Sequence, residues 1–299
     1  MRTNNPALTL AFHATDTAGV LQMQFSSDGT NWSAPEDYAA ARSWTLLTGD
    51  GLKTIYVKFK DGVGNWSNVY TTTITLDTTA PITTASPAGG TYGSSQNVTL
   101  SANEQATIYY TTDGTTPAES SAVYSAAIPI AATTTLKYFA KDLAGNSEVV
   151  KTQSYTIDKV GPSGSIAISG GITRTNNTGI TLNLSATDAE GVTEMKFSND
   201  GVSWSTPENY ATLRAWTLAG GDGLKTVYVK FKDGVGNWSN PYTVTITLDT
   251  TAPVTTASPA AGTYGSTQNV TLSANEQATI YYTTDGSNPT ETSTAYIAP

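Results

Sequence analysis

The feature that most constrains this chain is an internal repeat with an offset of 172 residues. The segment KFKDGVGNWSN begins at Lys58 and returns at Lys230, and LDTTAP follows shortly after each copy. A weaker copy of the loop, KDLAGN, begins at Lys141 between them. Self-similarity on this scale indicates an array of modules rather than one large domain. We predict two alternating types, type A at 1–80 and 161–252 and type B at 81–160 and 253–299.

The same offset predicts that the first and last modules are incomplete. Met1 aligns with Thr173, so the strand-like run SIAISG at 165–170 has no counterpart before it. Pro299 aligns with Ala127, so the last module has nothing that matches 128–158. We therefore expect a window cut from a longer array, with whole modules in the middle and any export or anchoring signals outside this sequence.

The apolar residues follow the period of a β-strand through most of the chain. In the run TVYVKFKD, for example, Val227, Val229 and Phe231 alternate with polar or amphipathic neighbours. Asp-Gly pairs at Asp28 and Asp200 separate two such runs, which favours tight hairpins. Strand-like runs recur about every 8 to 12 residues. These signals predict an all-β fold of tandem Ig-like or fibronectin-III-like β-sandwich modules arranged end to end, with about seven strands each.

Composition narrows the possible partners. The chain has no cysteine, which excludes disulfides and thiolate metal sites, and its net charge of −9 disfavours nucleic acid and anionic membrane surfaces. No run approaches the roughly 18 apolar residues of a membrane span, so no membrane insertion is expected. Only 13% of residues are charged, which favours an extracellular location. The acidic balance favours cations as partners.

Two stretches resemble known families. The type B segment SPAGGTYGSSQNVTLSANEQATIYYTTDGTTP, which begins at Ser86, resembles the chitobiase/β-hexosaminidase C-terminal type of Ig-like domain. Type A resembles the Ig-like repeats of bacterial surface proteins through SATD, the Asp-Gly hairpin, and KDGVGN ahead of LDTTAP. Such modules are commonly stalks or spacers in adhesins and secreted glycan-active enzymes. The resemblance implies a spacer role and supplies no catalytic residues.

Catalysis is not expected. His13 is the only histidine, and strand alternation places its side chain on the face opposite Phe12 and Ala14. No Ser-His-Asp or Cys-His set can be assembled around it, and its counterpart in the second A module is Ser185. Paired carboxylates occur only in the repeated loops, where a turn role is favoured over acid–base work. We predict that the chain is not an enzyme.

The tryptophans occur only in type A modules, as three matched pairs. Trp44 and Trp216 lie in strand-like WTL runs and are predicted to be core residues. The other four are expected to pack at a module end. The alternative is that their rings are exposed and stack on sugars, which would make the modules carbohydrate-binding. These four residues are Trp32, Trp66, Trp204 and Trp238.

The acidic loops are the strongest candidates for binding, although their Asp and Asn residues would also hold a turn through the backbone alone. In an Ig-type sandwich, the loops after the second strand and between the last two strands lie near the linker from the preceding module. Carboxylate and amide oxygens that meet there suit Ca²⁺, and no other cofactor is predicted. The strongest predicted site consists of Asp158, Asp188, Glu190, Asp233 and Asn237, and a weaker one of Asp77, Glu104, Asp142 and Asn146.

The sequence is consistent with three functions. The first is a non-catalytic spacer of a bacterial extracellular or cell-surface protein, an adhesin-like stalk in which each module adds roughly 35 to 40 Å. The second is a set of accessory modules that bind surface polysaccharide. The third is a filament or surface layer that self-associates through exposed strand edges. In each case the neighbouring modules of the same chain are partners.

Overall fold

The structure is a computed structural model that describes residues 1–298. Strands account for its regular structure, apart from a short 3₁₀ turn at Ser169–Gly171, and this confirms the predicted all-β class. The chain divides into two compact units, Met1–Lys159 and Val160–Pro299, of which Pro299 lies outside the described residues.

The first unit opens with a sandwich of type A. Its larger sheet has the strand order β1-β7-β6-β3-β4, and its smaller sheet pairs β2 with β5. The strand β1 is parallel to β7, whereas β6 is antiparallel to both β3 and β7. These strands are β1 (Arg2–Thr3), β2 (Ala7–Ala11), β3 (Val20–Ser26), β4 (Glu36–Asp37), β5 (Ala41–Thr45), β6 (Gly51–Asp61) and β7 (Tyr70–Leu76).

A sandwich of type B completes the first unit. Its sheets have the orders β13-β10-β8 and β12-β11-β14-β15-β9, and the central strand β14 is antiparallel to β11 and β15. The strands are β8 (Thr83–Ser86), β9 (Gly90–Tyr92), β10 (Gln96–Ala102), β11 (Ala106–Thr111), β12 (Ala122–Val123), β13 (Ile128–Ile130), β14 (Thr134–Asp142) and β15 (Lys151–Ile157).

The second unit begins with the other type A sandwich, whose smaller sheet has three strands. Its sheet orders are β16-β18-β21 and β17-β23-β22-β19-β20. The strands are β16 (Ser163–Ile168), β17 (Arg174–Thr175), β18 (Gly179–Thr187), β19 (Val192–Ser198), β20 (Glu208–Asn209), β21 (Leu213–Thr217), β22 (Gly223–Asp233) and β23 (Tyr242–Leu248).

The remainder of the second unit contains two short strand pairs. The pairs are β24 with β25 and β26 with β27, and no side chain between 253 and 298 is buried. Because each of these side chains is at least partly exposed, the strands lack the closed core of the other modules. They are β24 (Thr255–Ser258), β25 (Thr271–Ala274), β26 (Tyr281–Tyr282) and β27 (Thr294–Ala295).

Each closed core is built on one long central strand. In β22, Val227, Val229 and Phe231 are completely covered, as the alternation of the sequence predicted, and they join the residues of the facing sheet in one cluster. In β14, Leu136 and Tyr138 play the same part. Full burial of a Val, Leu or Phe side chain stabilises the fold by about 1.5 to 3 kcal/mol. The two-sheet architecture thus follows from alternation on the central strands.

Hydrogen exchange should distinguish the two middle modules from the two terminal ones. We expect amides between 81 and 252 to exchange more slowly than those of 1–80 and 253–298, because the middle cores are covered on both sides. Exchange followed by mass spectrometry on peptide fragments measures this directly. Equal protection throughout would contradict the module boundaries derived from the repeat.

Candidate functional site

The repeated Asp-x-x-Gly-Asn loops are held together by their own aspartates. The Asp61 Oδ1 atom accepts hydrogen bonds from the N–H groups of Val63 and Asn65 at 3.0 and 2.8 Å, and Asn65 Nδ2 donates to Asp61 Oδ2 at 3.0 Å. The N–H and side chain of Asn65 therefore lower the pKa of Asp61. Gly64 has a φ of 103°, a conformation that favours glycine. These hydrogen bonds hold the turn, as the simpler interpretation of the Asp and Asn residues predicted.

The loop after β14 is the most buried version of this turn in the first unit. Asp142 Oδ1 accepts from the N–H groups of Ala144, Gly145 and Asn146 at 2.8, 2.7 and 2.8 Å. Burial alone would raise the pKa of Asp142, but the hydrogen bonds from Asn146, Gly145 and Ala144 outweigh it and lower the pKa. The carboxylate is therefore held in its charged form in a sheltered position.

Three carboxylates meet beside the linker within the first unit. Oxygen atoms of Asp77, Glu104 and Asp142 lie within 4.8 Å of one another, with Asp142 buried and the other two half-buried. Asn146 joins them, because its Nδ2 atom donates to the Asp77 carbonyl at 2.8 Å and to Asp142 Oδ2 at 2.7 Å. The structure thus brings together the set that the sequence ranked as weaker. Carboxylates at this separation repel one another unless a cation neutralises them, and hard oxygen ligands suit Ca²⁺.

One positive charge already lies beside this cluster. Arg2 Nη1 is 3.6 Å from Asp77 Oδ2, with the Arg2 side chain 42% exposed. A pair this exposed offsets only part of the repulsion, since surface ion pairs contribute about 0 to 1 kcal/mol. The cluster therefore keeps a net negative charge near Glu104 and Asp142.

The set that the sequence ranked as stronger is divided between the two units. Asp158 follows β15 in the first unit, where its N–H donates to the Tyr92 carbonyl at 3.0 Å. In the second unit the loops of Glu190 and Asp233 touch, because a Cβ added at Gly234 would lie 2.4 Å from the Glu190 carbonyl oxygen. The N–H of Glu190 also donates to Asp188 Oδ1 at 2.9 Å.

The turn at Asp233 repeats the geometry of the other loops. Asp233 Oδ1 accepts from the N–H groups of Val235 and Asn237 at 2.9 and 2.8 Å, and Asn237 Nδ2 donates to Asp233 Oδ2 at 2.8 Å. The carboxylate is buried. Convergence of this loop with Asp158 stays a prediction of the sequence.

Sequence reasoning missed a pair of aspartates that clamp the A-to-B linkers. Asp50 Oδ1 accepts from the N–H and hydroxyl of Thr78 at 2.9 and 2.8 Å, and its Oδ2 accepts from the Thr79 hydroxyl at 2.7 Å. Asp222 makes the same contacts with Thr250 and Thr251. The sequence pattern that could have revealed them is a Gly-Asp-Gly tripeptide that repeats with the offset of 172 residues. In each type A module it comes at the start of the longest strand.

The four remaining tryptophans lie beside lysines of the larger type A sheets, and their packing at a module end stays a prediction. Each ring is half-buried and faces lysine ammonium groups. Lys58 Nζ lies 4.4 Å from the ring centre of Trp32 and 4.9 Å from that of Trp66. In the second unit Lys196 Nζ lies 4.3 Å from Trp238, and Lys230 Nζ lies 5.0 Å from Trp204. Cation–π contacts of this kind contribute about 0.5 to 1 kcal/mol at exposed sites.

The serine that follows each of these tryptophans fixes the ring on the sheet. Ser67 N–H donates to the Phe59 carbonyl at 2.8 Å, while the Phe59 N–H donates to Ser67 Oγ at 3.0 Å. Ser33, Ser205 and Ser239 make the equivalent bonds. The Trp-Ser pairs are therefore structural elements of the sheet. Each tryptophan is nevertheless only half-buried.

The clamp should titrate at low pH. The hydroxyl of Thr251 and the N–H and hydroxyl of Thr250 lower the pKa of Asp222 to about 2. Because the unfolded value is about 3.9, the clamp contributes fully above about pH 4 and is lost as the pH falls towards about 2. We expect carboxyl-carbon NMR titration to show that T251A raises the pKa of Asp222. T243A, at an exposed threonine of β23, is the control, and an unchanged pKa in T251A would contradict the clamp.

Within residues 1–298, no helix is long and apolar enough to cross a membrane. A comparison with curated protein sequences found no match. Among solved structures, the chain is similar to the fibronectin(III)-like modules of CbhA from Clostridium thermocellum, with 19% identity and a TM-score of 0.33, over 56% of this chain and 94% of that one.

Two further solved structures are similar over most of this chain. Titin domains match with 11% identity and a TM-score of 0.39, over 81% of this chain and 92% of that one. A tetra-tandem repeat from the extending region of a large adhesion protein matches with 18% identity and a TM-score of 0.28, over 85% and 73% respectively. The chain is a tandem array of Ig-like β-sandwich modules, in which segments 87–152 and 259–299 match the chitobiase/beta-hexosaminidase C-terminal domain family.

Proposed function

We propose that this chain is a non-catalytic spacer, the stalk of an extracellular or cell-surface protein that holds another domain away from its anchor. Repeated sandwiches joined by short linkers support this role, because modules of this kind add length without needing a binding site. The extending region of a large adhesion protein has a similar fold, and it is an analogy for this role.

The observation that carries the proposal is that the first A-to-B linker is held from both sides. Asp50 of the type A module binds Thr78 and Thr79, and Asn146 of the type B module donates to the Asp77 carbonyl. A linker whose consecutive residues are hydrogen-bonded to both neighbours has few free torsions and resists bending. Stiffness at the linker is the property that a spacer needs and that a flexible tether lacks.

Small-angle scattering on the whole chain tests the spacer. An extended array should have a radius of gyration well above the roughly 19 Å expected for one compact domain of this length. Replacing both clamps in D50A/D222A should broaden the distance distribution. D113A is the matched control, because Asp113 makes similar bonds to Thr115 inside one module. A compact radius for the unaltered chain would end the spacer proposal.

Calcium at the junctions is the finer part of the proposal. In the first unit, Asp77, Glu104 and Asp142 supply oxygen ligands from the linker and from two loops of the type B module, so a bound cation would tie the linker to that module. From the sequence, Asp158, Asp188, Glu190, Asp233 and Asn237 form the corresponding set at the next junction. Such sites in extracellular modules bind Ca²⁺ with dissociation constants of about 10⁻⁴ to 10⁻³ M.

Calorimetric titration with Ca²⁺ tests these sites separately. We expect E104Q and D142N to abolish binding at the first junction, and D158A and D233A to abolish it at the second. D61N is the matched control, because Asp61 holds the same kind of turn without a third carboxylate beside it in the described residues. Absence of binding at millimolar Ca²⁺, or binding that survives all four substitutions, would contradict calcium stiffening.

A second candidate function is recognition of polysaccharide by the tryptophan faces. The half-exposed rings and the ammonium groups around them favour an acidic glycan, because each sugar would meet both an aromatic surface and a positive charge. A glycan array compared with W66A and W238A tests it, and silence of the unaltered chain would leave the spacer alone. Concentration-dependent sedimentation would reveal the third possibility, a self-associating filament.

A further inference from the structure

The two type A modules differ at one position beside the tryptophan of the smaller sheet. At the offset of 172 residues, Asn199 of the second module corresponds to Ser27 of the first. In the second module Trp216 Nε1 donates to Asn199 Oδ1 at 2.8 Å, and Asn199 Nδ2 donates to the Thr217 carbonyl at 3.1 Å. A side-chain carboxamide therefore joins an indole N–H to a backbone carbonyl.

The indole has nearly the same place in both modules. The ring centre of Trp44 lies 5.5 Å from that of Phe25, with 43° between the ring planes. The ring centre of Trp216 lies 5.2 Å from that of Phe197, with 35° between the planes. Ser27 has no carboxamide, and no group within residues 1–298 accepts a hydrogen bond from Trp44 Nε1. The first module therefore keeps a donor that the second module has used.

The strand carbonyl that would complete the pair is also available. Leu46 N–H donates to the Pro6 carbonyl at 2.9 Å, and Ala7 lies opposite Thr45 in the antiparallel pair of β2 and β5. Because hydrogen-bonded and non-hydrogen-bonded pairs alternate along such a ladder, the Thr45 carbonyl points away from β2, towards the outer edge of β5. In the second module β21 is likewise the outer strand of its sheet, so this edge is common to both modules.

A cavity of about 270 Å³ opens at this edge of the first A module. Ser27 lines it, as do Trp44 and Leu46, the two neighbours of Thr45. Its lining also includes two leucines, which are 59% and 69% exposed and form an apolar rim. These leucines are Leu47 and Leu52.

One lysine lies at the cavity, and its counterpart shows that it does not require an anion there. Lys53 lines the cavity, and its Nζ atom donates to the Thr48 carbonyl at 3.4 Å. In the second module Lys225 Nζ donates to the Gly220 carbonyl at 3.0 Å, and the neutral Asn199 side chain is bound beside it. The matching module thus shows a neutral amide in this setting.

We propose that the cavity beside Trp44 binds the side-chain carboxamide of a glutamine or asparagine from a partner protein. The carboxamide oxygen accepts from Trp44 Nε1, and its N–H donates to the Thr45 carbonyl. An amide supplies both an acceptor and a donor, whereas a carboxylate supplies acceptors only. Leu47 and Leu52 cover the methylene groups of the bound side chain. The inference does not depend on the spacer function, because it rests on the comparison of two modules.

NMR of the six tryptophan indole N–H groups in the full chain tests the site, with the signals assigned from W44F and W216F. We expect acetamide to shift the Trp44 signal saturably, and acetate to bind about tenfold or more weakly, because acetate cannot donate to Thr45. S27N should prevent the shift, since the new asparagine occupies the site itself. N199S should add an acetamide-dependent shift at Trp216.

The other indole signals show whether each variant is folded, and N199S tests the same chemistry independently of S27N. No shift at Trp44 in the unaltered chain, or a shift that persists in folded S27N, would overturn the proposal. Acetate that binds as well as acetamide would also overturn it, because the cavity would then be an anion site.

Capped peptides test the source of the carboxamide. Ala-Gln-Ala should shift the Trp44 signal in the unaltered chain and leave it in place in S27N. The matched Ala-Glu-Ala peptide should bind about tenfold or more weakly. A shift produced by N-acetylglucosamine but not by the glutamine peptide would overturn the assignment to a protein side chain.

Discussion

The modules of this chain depend on burying one face of a single long strand. In β22 and β14 the alternate apolar residues are covered by a second sheet, and the polar residues between them face outward. A sheet with one apolar face cannot be stable alone in water, so each central strand needs a partner layer. The extent of cover can differ between matching positions, since Phe59 is half-buried whereas its counterpart Phe231 is fully buried.

Carboxylates organise the polar parts of the same modules. Asp61, Asp142 and Asp233 each accept hydrogen bonds from the turn that they begin, which fixes the loop. At Asp61 and Asp142 these hydrogen bonds also lower the pKa of the carboxylate. This local role is complete without a metal. At Asp142 the turn also lies beside two other carboxylates, since oxygen atoms of Asp77, Glu104 and Asp142 are within 4.8 Å of one another.

The linker clamp links the fold to the proposed role. The residues Asp50 and Asp222 precede the longest strand of their modules, and that strand positions their carboxylates beside the departing linker. Hydrogen bonds to a charged acceptor are stronger than those between neutral groups. The aspartates can therefore hold the linker even at an exposed position. The tryptophans are held differently, since lysine ammonium groups over their rings stabilise the outer sheet surface.

The repeat, the all-β class, the alternation of the central strands and the turns at the Asp-x-x-Gly-Asn loops could be predicted from the sequence, because they depend on local spacing. Alternation decides which side of a strand is apolar, and an Asp followed by Gly and Asn closes a turn over a few residues. The three-dimensional packing was needed to find the partners of Asp50, the proximity of Asp77 to Glu104 and Asp142, and the position of Lys58 beside Trp32 and Trp66. Those contacts join residues from different strands, loops and linkers, so their distances are set by how these elements pack rather than by any local pattern.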